Sequence, residues 1–430
     1  MSEWCESTLE EIASPGRYSV VGGPFGSALG RKDYVAEGVP VIRGAQLNGT
    51  GRFSHDDLVY VSEAKASGHV GNLAYPGDVL VTQRGTVGQV GLIPDDAPFE
   101  RYLLSQSQMK LTVDPSRAER RFVYYWLCSP EAQHAIHGST ISAGVPHINL
   151  ATFKALKIGL PPLDAQGCIA GILGSLDDLI ANNRRRVEVL EEMARAIYRE
   201  WFVHFRYPGH ENSTFVGSAD GQVPEGWAVK RIAELSAAVT RGIAPKYATD
   251  GAWVVLNQKC VRNERVSLGP ARWQERQVPE AKQARRGDVL INSTGVGTLG
   301  RVALYRGESD HVTVDSHVTI ARPANALLNP WYGLTLVSRK LEFERLATGS
   351  TGQTELSRRD VGSVTAVLPP LDILMRFAQA AWPLLDEADL LLTWNESVVQ
   401  VRDLLLPKLV AGQIDVSSLD LDALVEGSVV

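Results

Sequence analysis

The sequence of 430 residues has little of what metal sites, secretion or membrane insertion require. No stretch approaches eighteen uninterrupted apolar residues, so no membrane-spanning helix is predicted. The start, MSEWCESTLEEI, is acidic and lacks the basic and apolar regions of a signal peptide, so we expect a cytoplasmic protein. The four cysteines stand outside any CxxC or Cys/His cluster, and we expect reduced thiols at Cys5, Cys128, Cys168 and Cys260.

Motifs of common enzyme classes are also missing. The sequence has no GxxxxGK(S/T) nucleotide loop, no HExxH metal motif and no (Asp/Asn)-Pro-Pro-aromatic tetrapeptide of an adenine methyltransferase. GVGTLG at 295–300 matches the GxGxxG dinucleotide fingerprint, but RVALYRG follows and predicts a strand where the fingerprint needs a helix. We interpret this segment as a glycine-rich hairpin. The sequence therefore predicts a protein with no catalysis, cofactor or metal of its own.

Charge is distributed unevenly along the chain. The net charge of −6 argues against a nucleic-acid partner when the chain is taken as a whole. Residues 215–367, however, carry 20 basic and 15 acidic side chains, whereas residues 368–430 carry 3 basic and 10 acidic ones. Phosphates would repel the acidic C-terminal segment, so charge supports DNA binding weakly and only for residues 215–367.

The chain contains two copies of one unit about 210 residues long, because its motifs return in the same order. GLPPLD at 159–164 returns as VLPPLD at 367–372, and GDVLVTQRG at 77–85 returns as GDVLINSTG at 287–295. Each copy begins with a part rich in Gly, Val and Thr, for which short strands are predicted. They are Val39–Arg43, Asp78–Gln83, Gly88–Ile93 and Met109–Val113, then Trp253–Asn257, Asp288–Asn292, Arg301–Tyr305 and His317–Arg322.

Each copy ends in one long predicted helix after a Pro-Pro pair, with Asp164 as the expected N-cap of the first. Apolar residues of both helices alternate at spacings of three and four, which is typical of a coiled-coil seam. In the first helix the seam is Leu173, Leu176, Ile180, Asn183, Val187, Leu190, Ala194, Ile197 and Trp201. In the second it is Leu385, Ala388, Leu392, Asn395, Val399, Leu406 and Leu409, with Arg402 as a break and Pro407 as the expected end or kink.

The predicted fold class is α+β. Two homologous mixed α/β domains, residues 1–158 and 213–367, are joined by two long helices in residues 159–212 and 368–430 that pair as an antiparallel coiled coil. Asn183 and Asn395 take the same seam position, where a polar residue usually fixes register or orientation.

The helices resemble a known family. The segment LPPLDAQGCIAGILGSLDDLIANNRRRVEVLEEMARAIYREWFVHF is similar to the central conserved helix of the specificity subunits of type I restriction–modification systems, and LLLPKLVAGQIDV to their C-terminal helix. The resemblance implies two target-recognition domains, each contacting one half of a split, asymmetric site in double-stranded DNA. It implies as partners two methyltransferase subunits using S-adenosylmethionine, and restriction subunits that translocate and cut DNA using ATP and Mg²⁺.

DNA-contacting residues are expected in loops that carry Arg, Lys, Asn, Gln, Ser and Thr, because these side chains match phosphates and base edges. The first domain offers Arg31, Lys32, Arg43, Gln46, Gln83, Arg84, Thr86, Gln106, His147 and Asn149. The second offers Arg241, Lys246, Tyr247, Asn257, Gln258, Lys259, Ser293, Thr294, Thr298, His317 and Gln353.

On the helices we expect contacts with partner subunits from Glu191 and Glu192 and from the apolar Trp201, Phe202, Trp394 and Leu409. Two alternatives stay open at this point. One is a methyltransferase fused to a recognition protein, and the other is a scaffold with no nucleic-acid role.

Overall fold

A computed structural model describes residues 4–47, 51–141, 145–218, 221–348 and 354–416. The chain forms two compact units. Unit 1 contains the described residues of Met1–Arg184 and Thr393–Val430, and unit 2 contains those of Arg185–Leu392. The division falls inside both long helices, so each unit contains part of each helix. The predicted limits at 158 and 367 fall inside the strands Lys157–Leu160 and Thr365–Leu368, which precede the helices.

Unit 1 contains a four-stranded antiparallel sheet and a five-stranded mixed sheet. In sheet order the first is Val20–Gly22, Gln108–Leu111, Val79–Thr82 and Val90–Leu92. The second is Tyr34–Val35, Val59–Val61, Val39–Ile42, Tyr102–Leu104 and Leu73–Ala74, of which the third and fourth are parallel. A further antiparallel pair is Cys5–Thr8 with Lys157–Leu160.

Unit 2 repeats this arrangement with a smaller mixed sheet. Its four-stranded sheet is Ser236–Arg241, Val318–Pro323, Val289–Asn292 and Val302–Leu304. Its three-stranded sheet is Arg272–Gln274, Trp253–Leu256 and Val312–Val314, again with one parallel pair. Two-stranded pairs are Phe215–Ser218 with Gly221–Pro224, Ala228–Arg231 with Thr365–Leu368, and Val261–Arg262 with Arg265–Val266. Every strand predicted from the sequence is confirmed to within two residues.

Two helices are far longer than the rest. The central helix is Leu163–Tyr198, followed by one π-helical turn at Arg199–Val203, and the C-terminal helix is Leu371–Val410. Asp164 lies inside the first turn of the central helix and is not its N-cap. The shorter helices are Glu63–Ser67, Arg120–Cys128, Pro130–Gly138, Leu150–Lys154, Ile232–Leu235, Trp331–Ser338, Lys340–Leu346 and Arg358–Ser363.

The repeated GDVL motif has a structural cause. Its aspartate is buried in both copies, accepts a backbone N–H three residues earlier and pairs with a cation from the neighbouring strand. In unit 1 Lys110 Nζ lies 2.8 Å from Asp78, and in unit 2 Arg322 lies 2.7 Å from Asp288. A buried carboxylate needs such a partner, so the aspartate holds the turn before the hairpin and the neighbouring strand together.

Within unit 1 the two long helices pair in antiparallel fashion, as predicted. Asn183 Nδ2 donates to Asn395 Oδ1 at 3.0 Å, and Asn395 Nδ2 donates to the Ile180 carbonyl at 3.2 Å. Farther along, Arg402 Nη1 lies 2.9 Å from Asp177. Higher numbers on one helix therefore face lower numbers on the other.

The predicted seam of the C-terminal helix needs correction. Arg402 does not break the seam, because Ala388, Leu391, Asn395, Val398, Arg402, Leu405 and Leu409 maintain the alternation of three and four. Leu391 and Val398 are buried, whereas the predicted Leu392 and Val399 are only half-buried. The helix also continues past Pro407 to Val410. Leu409 and Val410 are buried in the core of unit 1, and their burial offsets the hydrogen bond that proline cannot make.

Within unit 2 the helices pack through Val187, Ala388 and Leu391, and Arg186 pairs with Glu387 at 2.6 Å. The central helix ends in an aromatic cluster in which Phe202 meets Phe377 edge to face, with 4.8 Å between ring centroids. Phe202 and Leu409 are thus core residues rather than partner contacts. Trp201 is half-buried in the same cluster, and Trp394 is exposed.

Glu191 is buried as well, which corrects its predicted role in partner binding. Its carboxylate accepts from Arg265 at 2.8 Å and from Arg306 at 3.0 Å. Arg306 also pairs with Asp389 at 2.8 Å, and burial nevertheless raises the pKa of Asp389. These pairs fix the strands of unit 2 on the helices.

Candidate nucleic-acid interface

Three loop segments meet in each unit, and the same backbone hydrogen bonds hold them. We call residues 83–88, 105–107 and 145–149 loop cluster 1, and residues 293–300, 315–317 and 354–357 loop cluster 2. Gln83 N donates to the Ser107 carbonyl at 2.8 Å, and Ser293 N donates to the His317 carbonyl at 2.9 Å. The third segment is joined in the same way in both units. Ile148 N donates to the Gln83 carbonyl, and Leu356 N donates to the Ser293 carbonyl. The two clusters are therefore equivalent positions of the duplicated domain.

The first segment of each cluster is the turn of a β-hairpin between two buried strands. Left-handed glycines shape both turns, with φ of +87° at Gly85 and +90° at Gly88 in unit 1, and +99° at Gly295 and +73° at Gly297 in unit 2. Such angles favour glycine, which explains why both turns are rich in it although the spacing of the glycines differs. GVGTLG is thus a hairpin turn between Val289–Asn292 and Val302–Leu304, as interpreted from the sequence.

Loop cluster 1 contains several predicted contacts. Gln83 Nε2 donates to the Gln106 carbonyl at 2.9 Å, which joins the first two segments. Arg84 and Thr86 are exposed on the hairpin turn, and His147 Nδ1 lies 3.1 Å from the Val145 carbonyl. Arg84 and His147 form an isolated β-bridge, so their side chains come from neighbouring backbone segments.

Loop cluster 2 contains a chain of side-chain hydrogen bonds. Gln258 Nε2 donates to Thr294 Oγ1 at 2.6 Å, and Thr294 Oγ1 lies 2.8 Å from His317 Nδ1. Thr298 Oγ1 is within 3.4 Å of the Thr294 carbonyl. His317 is exposed, and its backbone N–H donates to Asp315, whose pKa is raised by burial. These hydrogen bonds bring four of the predicted residues together.

Arg241 holds loop cluster 2 together and has little surface left for DNA. Its guanidinium donates to the Ser316 and Leu356 carbonyls at 3.2 and 2.7 Å and pairs with Glu355 at 2.8 Å. The side chain is 18% exposed. We therefore assign Arg241 to positioning, which differs from the predicted contact.

A second basic surface of unit 2 follows Arg241 along the chain. Lys246 is exposed, and the Arg272 guanidinium stacks 3.6 Å above the ring of Tyr247. Trp273, on the same edge strand as Arg272, is exposed. Sequence reasoning identified Lys246 and Tyr247 but missed Arg272 and Trp273, because the strand that carries them was not predicted.

Four predicted contacts form hydrogen bonds within the protein. Gln46 is buried and bonds Arg43 N and the Asp56 carbonyl, and Ser293 is buried against Thr319. Asn149 is the N-cap of Leu150–Lys154, where its Oδ1 accepts from Thr152 N at 2.8 Å. Asn257 caps the turn at Gln258–Cys260 in the same way. Gln46 and Ser293 are too deeply buried to contact a base, whereas exposed Asn149 and half-buried Asn257 cap their helices and stay predicted contacts.

The remaining predicted contacts stay predictions. Arg31, Lys32 and Lys259 are exposed, and half-buried Arg43 donates to the Asp57 carbonyl. Gln353 lies outside the described residues.

Two apolar side chains that sequence reasoning passed over are almost fully exposed. Phe25 is 85% exposed in a glycine-rich loop, and Val296 is 88% exposed at the hairpin turn of loop cluster 2. Gly23 leads into the Phe25 loop beside loop cluster 1, where a Cβ would lie 1.9 Å from the Ser105 carbonyl. An open cavity of about 510 Å³ adjoins Val296 and has Arg301 and Lys340 in its lining.

Among the described residues, no group of His, Cys, Asp or Glu side chains is placed to hold a metal ion. Within the same residues, none of the helices has the length and apolarity needed to cross a membrane.

Comparison with known proteins places these features in context. Residues 1–192 match the model of the type I restriction modification DNA specificity domain. The type I restriction enzyme MjaIX specificity subunit of Methanocaldococcus jannaschii is 21% identical over 375 residues, which cover 80% of this chain and 79% of the relative. The HindI specificity subunit of Haemophilus influenzae is 20% identical over 407 residues, with 79% and 86% covered.

The crystal structure of a type I restriction–modification system S subunit from M. genitalium has the same fold. It aligns with a TM-score of 0.60 at 16% identity, over 95% of this chain and 96% of that chain. The predicted α+β fold and the resemblance to specificity subunits are thereby confirmed. Both relatives are named specificity subunits, in agreement with the prediction that this chain has no catalysis of its own.

Proposed function

We propose that the protein recognises a split, asymmetric DNA site, because residues 1–192 match the model of the type I restriction modification DNA specificity domain and most of the chain is similar to specificity subunits. Each of its two mixed domains contacts one half-site through its own loop cluster. The DNA sequence is selected by the side chains on these clusters, and phosphates are neutralised by exposed Lys and Arg around them.

One observation carries the proposal: the two loop clusters share their backbone hydrogen bonds but differ in the side chains at equivalent positions. Matching hydrogen bonds make Arg84 equivalent to Thr294 and Ser107 equivalent to His317. Arginine favours guanine, whereas threonine and histidine offer different donors and acceptors. Two copies of one scaffold with different recognition side chains are what an asymmetric site requires.

The same proposal includes the partners. Two methyltransferase subunits bind S-adenosylmethionine, restriction subunits use ATP and Mg²⁺, and this chain positions them on cytoplasmic DNA without binding those cofactors itself. The acidic C-terminal segment suits protein contacts better than DNA contacts, because phosphates repel it. Exposed Trp394 and Glu192 are candidates for such contacts.

The test is to co-express the chain with the methyltransferase subunits encoded beside it and to map methylated positions across the host genome. We expect one split motif with two different halves. Arg84→Ala should alter only the half of the motif that the first domain contacts. His317→Ala should alter only the half that the second domain contacts. A continuous motif, or both halves changing with either variant, would contradict the proposal.

Two binding measurements separate the alternatives, one on the purified chain alone and one on its complex with the methyltransferase subunits. Measurable binding of S-adenosylmethionine or methyl transfer would favour a fused methyltransferase. A complex that fails to shift DNA at both 50 and 200 mM salt, the range over which phosphate contacts weaken binding about 10³- to 10⁵-fold, would favour a scaffold.

A further inference from the structure

The hydrogen-bond chain of loop cluster 2 determines which nitrogen of His317 carries a proton. The chain begins at the Gln258 amide, whose orientation is fixed by the Thr294 backbone. One amide atom of Gln258 lies 2.8 Å from the Thr294 carbonyl oxygen. A carbonyl oxygen only accepts hydrogen bonds, so that atom is the nitrogen Nε2 and not Oε1. The second N–H of the same nitrogen then faces Thr294 Oγ1, at 2.6 Å.

The Thr294 hydroxyl links the Gln258 amide to the His317 ring by a second hydrogen bond. Its oxygen accepts from Gln258, and among the described residues its single hydrogen has no recorded acceptor other than His317 Nδ1, 2.8 Å away, so donation to that nitrogen satisfies both groups. A neutral imidazole that accepts at Nδ1 carries its proton on Nε2. In the doubly protonated ring Nε2 is also an N–H, so His317 is a donor at Nε2 in either charge state.

We propose, resting on the function proposed above, that His317 contacts the DNA target as an N–H donor whose acceptor is the N7 of a purine. The ring is exposed, and within the part of the chain that the structure describes its Nε2 forms no hydrogen bond. In the major groove guanine and adenine both present N7 as an acceptor and thymine presents O4, whereas cytosine presents only its amino donor, so a fixed N–H donor excludes cytosine. Gln258 and Thr294 are positioning residues that maintain the donor.

The second domain has this threonine–histidine arrangement, and the first domain does not. In loop cluster 1 the positions equivalent to Thr294 and His317 are Arg84 and Ser107, which lack an imidazole ring. The selection of N7 by a histidine donor is therefore expected in a single half-site, the one contacted by the second domain.

The experiment uses the complete complex of this chain with its methyltransferase subunits and a duplex carrying its mapped target. Each purine of the half-site that the second domain contacts is replaced in turn by its 7-deaza analogue, which lacks the acceptor. We expect one position at which the wild-type complex loses about two- to tenfold in affinity, the range of one net hydrogen bond. The His317→Ala complex should bind normal DNA more weakly by a similar factor and should be insensitive at that position.

Two further variants separate donor polarity from simple packing. Thr294→Val keeps the shape but removes the hydroxyl, so it should reduce the 7-deaza effect while leaving thermal stability nearly unchanged. His317→Gln supplies an amide N–H and should restore part of the effect. His147→Ala in loop cluster 1 is the matched control and should retain the full wild-type sensitivity.

The outcomes are decisive in either direction. A wild-type complex that binds its target but responds to no 7-deaza purine in that half-site would overturn the inference and leave the proposed function intact. The same holds for a His317→Ala complex that stays as sensitive as wild type. A complex that does not bind DNA would overturn the proposed function, and the inference with it.

Discussion

Asn183 of the central helix donates a hydrogen bond to Asn395 of the C-terminal helix at 3.0 Å. Both are buried. Among the residues that the structure describes, Asn183 Oδ1 has no hydrogen-bond partner. An incompletely satisfied amide in a seam costs stability, and its usual benefit is that only one register lets the two amides meet. The pair therefore fixes the alignment of the helices in unit 1.

Replacing one asparagine should be worse than replacing both. Asn183→Leu leaves the Asn395 amide oxygen buried without its donor, and we expect the free energy of unfolding to fall by about 1–3 kcal/mol. Asn183→Leu with Asn395→Leu should instead exceed the wild type in stability but tolerate shifted registers and self-associate more readily. Thermal unfolding measures the first effect and sedimentation the second.

The neighbouring Asn182 is exposed on the same helix and provides the control, since Asn182→Leu should change stability by less than about 0.5 kcal/mol. If the double variant proves no more stable than Asn183→Leu alone, the amide pair is not a specificity device.

Glu191 and Glu192 are adjacent in sequence but opposite in environment. Glu191 is buried among arginines, whereas Glu192 is exposed and pairs with Arg195 and Arg199. Glu191→Lys should lower the free energy of unfolding by about 3–5 kcal/mol, because it places a cation against uncompensated arginines. Glu192→Lys should change it by no more than about 1 kcal/mol. Urea unfolding would compare them, and equal effects would contradict the buried network.

The sequence predicted the scaffold well because its signals are local. GDVL marks a turn and a strand wherever it occurs, and spacings of three and four mark the seam. Arg402 was misassigned because apolarity was the criterion, and only the structure brings Asp177 of the other helix next to it. Pro407 was expected to end or kink the helix. The helix does not end there, because Leu409 and Val410 are buried in the core of unit 1, and local propensity does not predict that burial.

The interface was harder to predict because residue type does not reveal burial. Ser293 and Thr294 are consecutive and equally polar, yet the first points into the core and the second belongs to the exposed chain with His317. Successive side chains of a strand point to opposite faces of the sheet. Extending that rule beyond Asn292 would have placed Ser293 and Thr294 on different faces. Asn149 was missed as a cap because the helix it starts is only five residues long.

Lys246 should affect affinity without affecting sequence choice. It is exposed next to the Tyr247–Arg272 stack, where a phosphate contact carries no base information. Lys246→Ala should weaken binding of the complex to every sequence alike. The slope of log affinity against log salt should become shallower by about 0.9, the contribution of one phosphate. Lys230→Ala, at a lysine paired with Glu234, should leave the slope unchanged, and an altered motif in the Lys246 variant would refute the assignment.

Arg84 should determine one base of the first half-site. Its side chain is exposed on the hairpin turn of loop cluster 1, and a bidentate arginine–guanine pair contributes about 1–3 kcal/mol of discrimination. Arg84→Ala should therefore relax the methylated motif at one position of one half. Arg101→Ala removes an arginine that pairs with Glu63 and should leave the motif intact. Methylation mapping of cells with each variant decides, and an unchanged motif in the Arg84 variant would show that this side chain does not contact a base.

Val296 is an exposed apolar side chain whose removal should affect DNA binding but not folding. At 88% exposure it contributes almost nothing to the core, so Val296→Ser should change the free energy of unfolding by less than about 0.5 kcal/mol. Its position between two left-handed glycines presents its methyl groups at the turn, where a thymine methyl is the apolar feature of the major groove. We expect the variant complex to lose roughly three- to tenfold in affinity for the target, in line with about 0.8 kcal/mol per buried methylene-sized group.

Thymine-to-deoxyuridine substitution in the probe provides the matching change on the DNA, because it removes only the methyl group. The wild-type complex should lose affinity at one thymine, and the Val296→Ser complex should lose nothing further there. Val216→Ser alters another exposed valine of unit 2 and should bind as the wild type does. If the deoxyuridine effect is the same in wild type and Val296→Ser, the exposed valine is not what contacts that methyl group.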